Sequence, residues 1–265
     1  MEKEFNIIFI TQDDPFYIRN FFAEFFSIYP NLEEIKAVVI QRTMGKKSKR
    51  DLAKQMYALY GLVDFFRMGM RYTRVKILSE FAKSYQKPEW FDLRQLCGAN
   101  NIEVLHQNAL HQPAFLDKLR RKDIDLIISV AAPTIFRKEL IELPRLGCIN
   151  IHHAPLPRYR GMMPNFWQLY HGEKTVGITV HKINPKIDEG EIILQKEVPV
   201  NPGESLDALI MRTKRLGAHC MLEAIEMMRG GRIQYQENKS EEGSYFSFPN
   251  REDAREFRKR GYRLL

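Results

Sequence analysis

The stretch DLIISVAA, residues 125–132, is a short apolar run that predicts a buried β-strand. A helix-like segment, PAFLDKLRRKD at 113–123, precedes it, and another apolar run, GCINIHH at 147–153, follows it. Similar runs stand at 5–10, 37–41 and 102–106. Continuous apolar strands that alternate with helical segments are typical of parallel sheets buried on both faces. The sequence therefore predicts an α/β fold: a Rossmann-like, mostly parallel sheet with helices on both faces.

The second half of the chain contains two further predicted strands and a long helix. The strands are TVGITVHKI and GEIILQKEVPV, and the helix runs from Glu204 to about Met228 with PGES at its start. The segment after it reads as an extended chain that ends in a short charged helix. We therefore expect one catalytic domain over residues 1–230 and a short C-terminal extension over 231–265.

Residues of about 45–90 form an unusual insertion, which is basic at KKSKR and then rich in Met, Tyr and Phe. Its apolar residues have helical spacing, so we expect one or two helices that cover the sheet with these side chains packed inward. A basic amphipathic helix can also bind phosphate or lie on a membrane. The role of the insertion stays open at this point.

The composition favours anionic ligands without selecting one. The formal net charge is +8, which suits phosphates, nucleic acid or a membrane surface, although a solvated basic face has the same composition. Three scattered cysteines predict neither a disulfide framework nor a metal knuckle. The N-terminus has no secretory pattern, and no apolar run reaches the roughly 18 residues of a spanning helix. These features predict a cytoplasmic protein without a membrane span.

The segment NIHHAPLPRYRG, residues 150–161, contains the candidate catalytic side chains. Side chains alternate along a strand, so Asn150 and His152 point to one side and His153 to the other. An Asn amide donates a hydrogen bond to an oxyanion, and a His donates or transfers a proton. The prolines that follow would hold this geometry rigid. A metal site on His152 and His153 is disfavoured, because neighbouring strand residues diverge.

A carboxylate is expected to support His152, and the loop in KIDEGEII supplies Asp188. Gly190 would relieve crowding of the backbone there, and Glu189 is expected to be solvated. Each residue alone also has a structural explanation: Asn150 as a strand-end cap, His152 as a core histidine and Asp188 as a turn residue. The order of all three along one chain favours the functional interpretation.

These motifs together resemble the formyltransferase family that uses 10-formyltetrahydrofolate. The family pattern is Asn-x-His, a Leu-Pro-x-Tyr/Trp-Arg-Gly run, and an Asp-x-Gly loop after a strand that carries His. CINIHHAPLPRYRGMMPNFWQL and GITVHKINPKIDEGEIILQ contain all of these in order. The resemblance extends from about residue 125 to residue 200, which is far more specific than a single short motif.

The resemblance implies a catalytic trio of Asn150, His152 and Asp188, with Arg160, His181 and Gly190 in supporting roles. It implies 10-formyltetrahydrofolate as co-substrate and no metal. In this family the pterin lies beneath the loop after the fourth strand and beside the Asp loop, held largely by backbone groups. The implied folate-binding residues are Ala132, Pro133, Thr134, Ile135, Phe136, Lys186 and Ile187.

The acceptor amine is left open among family branches. The loop FITQDDPFYIRN is acidic and lacks the glycines of a phosphate loop, which disfavours a ribonucleotide phosphate there. The short segment after Met228 favours an amino group on a nucleotide-linked sugar over tRNA, whose branch carries a C-terminal barrel. A carrier-bound aminoacyl acceptor and a non-catalytic folate-binding protein remain alternatives. An oligomer is possible through the insertion or the tail.

Overall fold

The computed structural model describes residues 5–43, 48–82, 84 and 87–265, so residues 45–47, 83, 85 and 86 of the predicted insertion lie outside the described residues. The strands in the described part are β1 (Ile7–Gln12), β2 (Ile35–Gln41), β3 (Val104–His106), β4 (Leu126–Val130), β5 (Cys148–His152), β6 (Arg160–Gly161), β7 (Thr175–Lys182), β8 (Ile192–Pro199) and β9 (Tyr245–Phe246).

Seven of these strands form one sheet in the order β3-β2-β1-β4-β5-β7-β8. The strands from β3 to β5 are parallel, whereas β7 is antiparallel to β5 and β8 is antiparallel to β7. The two short strands β6 and β9 pair in parallel as a separate ribbon. The prediction of a Rossmann-like, mostly parallel sheet is therefore confirmed.

The helices of the described residues cover both faces of this sheet. They are α1 (Ile18–Ile28), α2 (Lys49–Phe81), α3 (Leu93–Ala99), α4 (Pro113–Arg120), α5 (Lys138–Ile141), α6 (Pro164–Tyr170), α7 (Leu206–Arg229) and α8 (Arg251–Lys259). Helix α7 begins where the sequence predicts, because the Ser205 side chain accepts a hydrogen bond from the Ala208 N–H. Within the described part of the chain, no helix is both long and apolar enough to cross a bilayer.

Successive residues of the central strands point alternately into two separate hydrophobic cores, one on each face of the sheet. Phe9, Ile128 and Ile151 belong to the larger core, which includes side chains of α1, α3 and α7. Ile10 and Ile127 belong to a smaller core beneath α4 and α5 on the other face. This alternation follows from the two-residue period of a strand, and it assigns Asn150 to the face of the smaller core.

Helix α2 differs from the expectation in one respect. It is broken at Gly61, whose φ of +66° is not helical, and Arg258 donates to the carbonyls of Leu59 and Tyr60 at this break. The expected inward packing of its Met and aromatic residues is wrong for much of the helix, because side chains such as Phe66 and Met70 are exposed. Only one side of the second half of α2 packs against the rest of the protein.

The C-terminal segment packs onto the rest of the chain. The Phe257 ring is fully buried and stacks on Phe166 with 4.6 Å between ring centroids. Phe246 stacks on Trp167 with 4.7 Å between ring centroids. The predicted helix at the end of the chain is α8. The C-terminal segment therefore packs against the same domain that holds the predicted residues Asn150, His152 and Asp188.

Candidate active site

Strand β5 positions the first two predicted residues, and β7 adds a third side chain. Asn150 lies directly opposite His181 in the antiparallel pair of β5 and β7, so their side chains point to the same face. His152, the last residue of β5, is 6% exposed. His153 projects to the other face beside Gly217 of α7, as strand alternation predicts.

The His152 ring is held through both of its nitrogens. Nε2 lies 2.8 Å from the Tyr159 carbonyl oxygen, which can only accept, so Nε2 carries a proton. Nδ1 faces the Asp188 carboxylate, with 3.6 Å between Nδ1 and Oδ2. Nδ1 is the ring atom that is not tied to a backbone carbonyl. Nδ1 is therefore the atom of His152 that can exchange a proton at this site.

Asp188 stays ionised in this environment. Burial acts to raise the pKa of its carboxyl group, but the neighbouring His152 ring, His181 and the Gly161 N–H overcome that effect and hold the pKa well below its usual range. The Gly161 N–H donates to Oδ2 at 3.0 Å. A charged carboxylate is thus fixed beside His152 across the physiological pH range.

His181 orients the amide of Asn150. Its Nδ1 donates to the Lys182 carbonyl oxygen at 2.7 Å, so its Nε2 is free to accept from the Asn150 Nδ2 at 3.1 Å. The Asp188 Oδ1 lies farther away, 3.7 Å from the same Nε2. One amide hydrogen of Asn150 is thereby committed to His181, and the other remains for a ligand oxygen.

The backbone around Asp188 is constrained to present the carboxylate. Asp188 has a φ of +54°, in the left-handed region that Asp tolerates better than most residues. At Gly190 an added Cβ would overlap the Lys182 carbonyl oxygen, so the role predicted for this glycine in relieving crowding has a specific cause. The loop can fold back over β7 only because this position lacks a side chain.

Asn238, in the polar run QENKSEEG, clamps this loop and was not predicted from the sequence. Its Nδ2 donates to the carbonyl oxygens of Asp188 at 2.9 Å and Gly190 at 3.0 Å. Asn238 is 9% exposed, although it sits among charged residues. No periodicity or motif marks it, because its role depends on where the chain returns after α7.

The C-terminal segment also fixes the loop that contains Tyr159. The Ser244 side chain accepts a hydrogen bond from the Tyr159 N–H at 2.9 Å, and the Ser244 carbonyl accepts from the Arg160 N–H at 2.9 Å. The Tyr159 carbonyl is the acceptor for His152. The segment after α7 therefore reaches both the Asp188 loop and the acceptor that holds the His152 ring.

Arg160 and Glu189 form an ion pair beside the trio. Arg160 Nη1 lies 2.5 Å from Glu189 Oε1, and the Glu189 side chain is only 20% exposed. Glu189, which was expected to be solvated, is instead half-buried and paired with Arg160. The pair ties the predicted supporting residue Arg160 to the Asp188 loop.

The predicted folate-binding loops lie on the face that carries Asn150. Ala132 and Ile183 both pack against the smaller core, which places the loop after β4 and the loop after β7 on this face. Ile135 and Ile187 are 58% and 42% exposed, so their side chains are available as apolar walls. The other predicted residues are placed as follows: Phe136 is buried in the smaller core, Thr134 accepts a hydrogen bond from Gln41, Lys186 is exposed and Pro133 is half-buried.

The neighbouring His153 is a neutral, buried side chain. Burial, followed by the effects of Lys214 and His152, holds its pKa well below the usual value for histidine.

Among residues 5–43, 48–82, 84 and 87–265, no group of three or more His, Cys, Asp or Glu side chains is placed to hold a metal ion.

Replacing Asn238 with alanine is expected to lower kcat by about tenfold or more, because a displacement of about 1 Å in a catalytic group costs up to about 10²-fold. The Asp188 loop would lose two hydrogen bonds, which is worth about 1–3 kcal/mol of stability. Steady-state kinetics and urea unfolding measure the two effects separately.

Asn100→Ala is the matched control, since Asn100 also donates to a backbone carbonyl, that of Leu96 at 2.9 Å, but lies at the end of α3. It should lower stability without lowering kcat. If Asn238→Ala and Asn100→Ala had the same kinetics, Asn238 would have a structural role only.

Comparisons with known proteins show which family the chain is similar to. Residues 70–225 match the model of a family described as formyl transferase, and this range is more than half of the chain. The chain is 36% identical over 153 residues to the methionyl-tRNA formyltransferase of Syntrophus aciditrophicus (strain SB), a match that covers 58% of this chain and 49% of that protein. The chain thus spans about half the length of the curated relatives it matches.

Two solved structures share the fold over most of the chain. A phosphoribosylglycinamide formyltransferase from Anaplasma phagocytophilum has a TM-score of 0.59 at 16% identity, and the match covers 92% of this chain and 100% of that one. An N-formyltransferase from Helicobacter canadensis, solved with folinic acid and dTDP-3-aminofucose, has a TM-score of 0.55 at 17% identity over 94% of this chain and 72% of that one. At these identities the likeness establishes the fold alone.

Proposed function

The chain belongs to the formyl transferase family, and on that premise we propose that it transfers the formyl group of 10-formyltetrahydrofolate to a primary amine on a nucleotide-linked sugar. The family match confirms the resemblance seen in the sequence. The observation that carries the proposal is the grouping of Asn150, His152 and Asp188 in one largely buried cluster, with 3.6 Å between the imidazole and the carboxylate.

The residues of the cluster would stabilise the oxyanion that forms during the reaction and would transfer a proton. The amine nitrogen attacks the formyl carbon, a new C–N bond forms, and the carbonyl oxygen becomes an oxyanion. The free amide hydrogen of Asn150 and the Nδ1–H of His152 would donate to this oxygen; loss of one such donor typically costs about 10²–10³ in rate. Asp188 would orient the His152 ring and stabilise it while both ring nitrogens carry a proton.

Breakdown of the intermediate then breaks the bond between the formyl carbon and the folate nitrogen. The attacking amine loses one proton and the departing nitrogen gains one, so protons balance and no oxidant or metal enters. Nδ1 of His152 is the atom that would pass this proton, since Nε2 is held by the Tyr159 carbonyl.

The residues present fit a folate co-substrate. The loops at 131–136 and 185–188 flank the Asn150 face, and Ile135 and Ile187 offer exposed apolar surface for a flat ring. The co-substrate supplies the activated formyl group. Backbone groups of these loops, with Ala132, Pro133, Thr134 and Lys186, would hold it, while buried Phe136 would support the first loop from below.

The choice of acceptor rests on two observations. At the loop after β1, the Asp14 carboxylate accepts hydrogen bonds from the Phe16 and Tyr17 N–H groups and Asp13 pairs with Arg94, so acidic groups occupy a position that would disfavour a phosphate. The fold shared with the Helicobacter canadensis enzyme, which was solved with an amino-sugar nucleotide, includes most of this chain. Identity to methionyl-tRNA formyltransferases favours charged initiator tRNA as the second candidate.

A panel assay distinguishes these acceptors. The protein is mixed with 10-formyltetrahydrofolate and, separately, with several nucleotide-linked amino sugars or with charged initiator tRNA, and release of tetrahydrofolate is followed. We expect turnover with an amino sugar and none with tRNA. Turnover with tRNA alone would replace the proposed acceptor, and binding of folate without turnover on any amine would favour a non-catalytic protein.

A further inference from the structure

The second half of α2 exposes an apolar surface that the formyl-transfer site does not use. Eight of the fourteen large hydrophobic side chains exposed in the described part of the chain lie on this one helix: Tyr57, Leu62, Val63, Phe66, Met70, Tyr72, Ile77 and Phe81. Single exposed apolar residues are ordinary, but a contiguous exposed group marks an interaction site. The concentration of exposed apolar side chains on this one helix therefore indicates an interaction site that something else covers.

Four of these residues form one stripe along the outer side of the helix, which we call the α2 stripe: Leu62, Phe66, Met70 and Ile77. Their spacing of four or seven residues places them on one face. They are between 52% and 67% exposed. From residue 62 to residue 77 the stripe is about 22 Å long at 1.5 Å per residue.

The opposite side of α2 is fixed to the protein, so the stripe is presented rigidly. Arg71 pairs with Asp207 of α7 at 2.6 Å and lies over the Phe16 ring. Met68, on the same side of the helix, is 9% exposed. The side of α2 that carries Arg71 therefore faces the protein. The side that carries Phe66 and Met70 faces the surroundings.

Basic residues border the stripe. Arg67 and Arg74 are exposed and follow Val63 and Met70 by four residues each, which places both on the same flank of the stripe; Arg67 also pairs with Asp64 at 3.2 Å. The whole chain carries a formal net charge of +8, so two copies would repel each other. A surface of negative charge therefore complements this flank better than a second copy does.

We propose that α2 binds flat on a bilayer that contains anionic lipids, with the α2 stripe at the acyl boundary and Arg67 and Arg74 at the headgroups. This is the arrangement of interfacial amphipathic helices, whose binding combines buried apolar area with attraction to anionic lipid. It requires no spanning helix. The proposal does not depend on the formyl-transfer reaction.

Sedimentation of the full chain with vesicles tests the proposal. We expect binding to vesicles of equal parts phosphatidylcholine and phosphatidylglycerol, and much weaker binding to phosphatidylcholine alone. The double variant Phe66→Ser/Met70→Ser should bind the mixed vesicles about tenfold or more weakly, because it removes apolar area from the interface. Arg74→Gln should weaken binding about fivefold, and only to the anionic vesicles.

Leu216→Ser is the matched control, because Leu216 is an exposed apolar residue on α7, away from the stripe. It should bind as the wild type does. Equal thermal midpoints for all variants show that the helix remains folded.

Three outcomes would overturn the proposal: no binding of the wild type to mixed vesicles, equal binding of the stripe variant, or a wild-type dimer in analytical ultracentrifugation that the stripe variant converts to a monomer. In the last case the occupant of the stripe is a second copy of the chain.

Discussion

His152→Ala is expected to lower kcat by about 10³-fold or more, because the variant loses both an oxyanion donor and the proton-transfer atom. Asp188 would keep its charge but lose the imidazole that it faces at 3.6 Å. The imidazole donates to the Tyr159 carbonyl inside the protein and does not belong to the predicted folate loops. Folate affinity should therefore remain within a few-fold of the wild-type value.

Single-turnover kinetics with saturating amine and titration of folate binding separate the two effects. His219→Ala is the control, because His219 lies exposed on α7 and pairs with Glu24 at 3.0 Å. It should leave kcat unchanged. If His152→Ala kept a tenth of wild-type turnover, the proton-transfer and oxyanion roles assigned to this ring would be wrong.

Gly190→Ala is expected to destabilise the protein by about 3 kcal/mol, the upper end of the about 1–3 kcal/mol that overpacking of a closely packed site typically costs when the backbone must move. The added Cβ would overlap the Lys182 carbonyl oxygen, a backbone atom of β7 that cannot rotate away. The loop would move as a unit and carry Asp188 away from His152. Turnover should fall together with stability.

Urea unfolding followed by circular dichroism measures the stability change. Gly98→Ala is the matched control, because Gly98 lies in α3 and an added Cβ would meet nothing within 4 Å. That variant should be stabilised by about 0.5–1 kcal/mol, the usual gain from alanine in a helix. An unchanged unfolding midpoint for Gly190→Ala would mean that the loop accommodates a side chain, contrary to the packing seen here.

Much of the architecture was predictable because it depends on local patterns. The runs around β4 and β5 are apolar and short, so burial in a parallel sheet follows from their composition. The common orientation of Asn150 and His152 follows from the two-residue period of a strand. The Ser205 cap that starts α7 is likewise a local signal.

Features that depend on contacts between distant segments were not predictable. Asn238 lies in a polar run that reads as solvent-exposed, yet its amide holds the Asp188 loop. Glu189 reads as a solvated turn residue, but Arg160 comes close enough to pair with it. The helical spacing in α2 indicates an apolar face without indicating whether the fold covers that face, and the structure shows Leu62, Phe66 and Met70 exposed.

By itself, the sequence determined the strands, the sheet class and which side chains of β5 share a face, because the geometry of a single strand or helix depends on neighbours a few residues away. Only the tertiary structure decided that the Asp188 carboxylate meets the His152 ring, that the segment after α7 secures both loops, and that α2 turns its apolar side outward. These arrangements depend on packing between segments far apart in the chain, and packing is a property of the assembled fold.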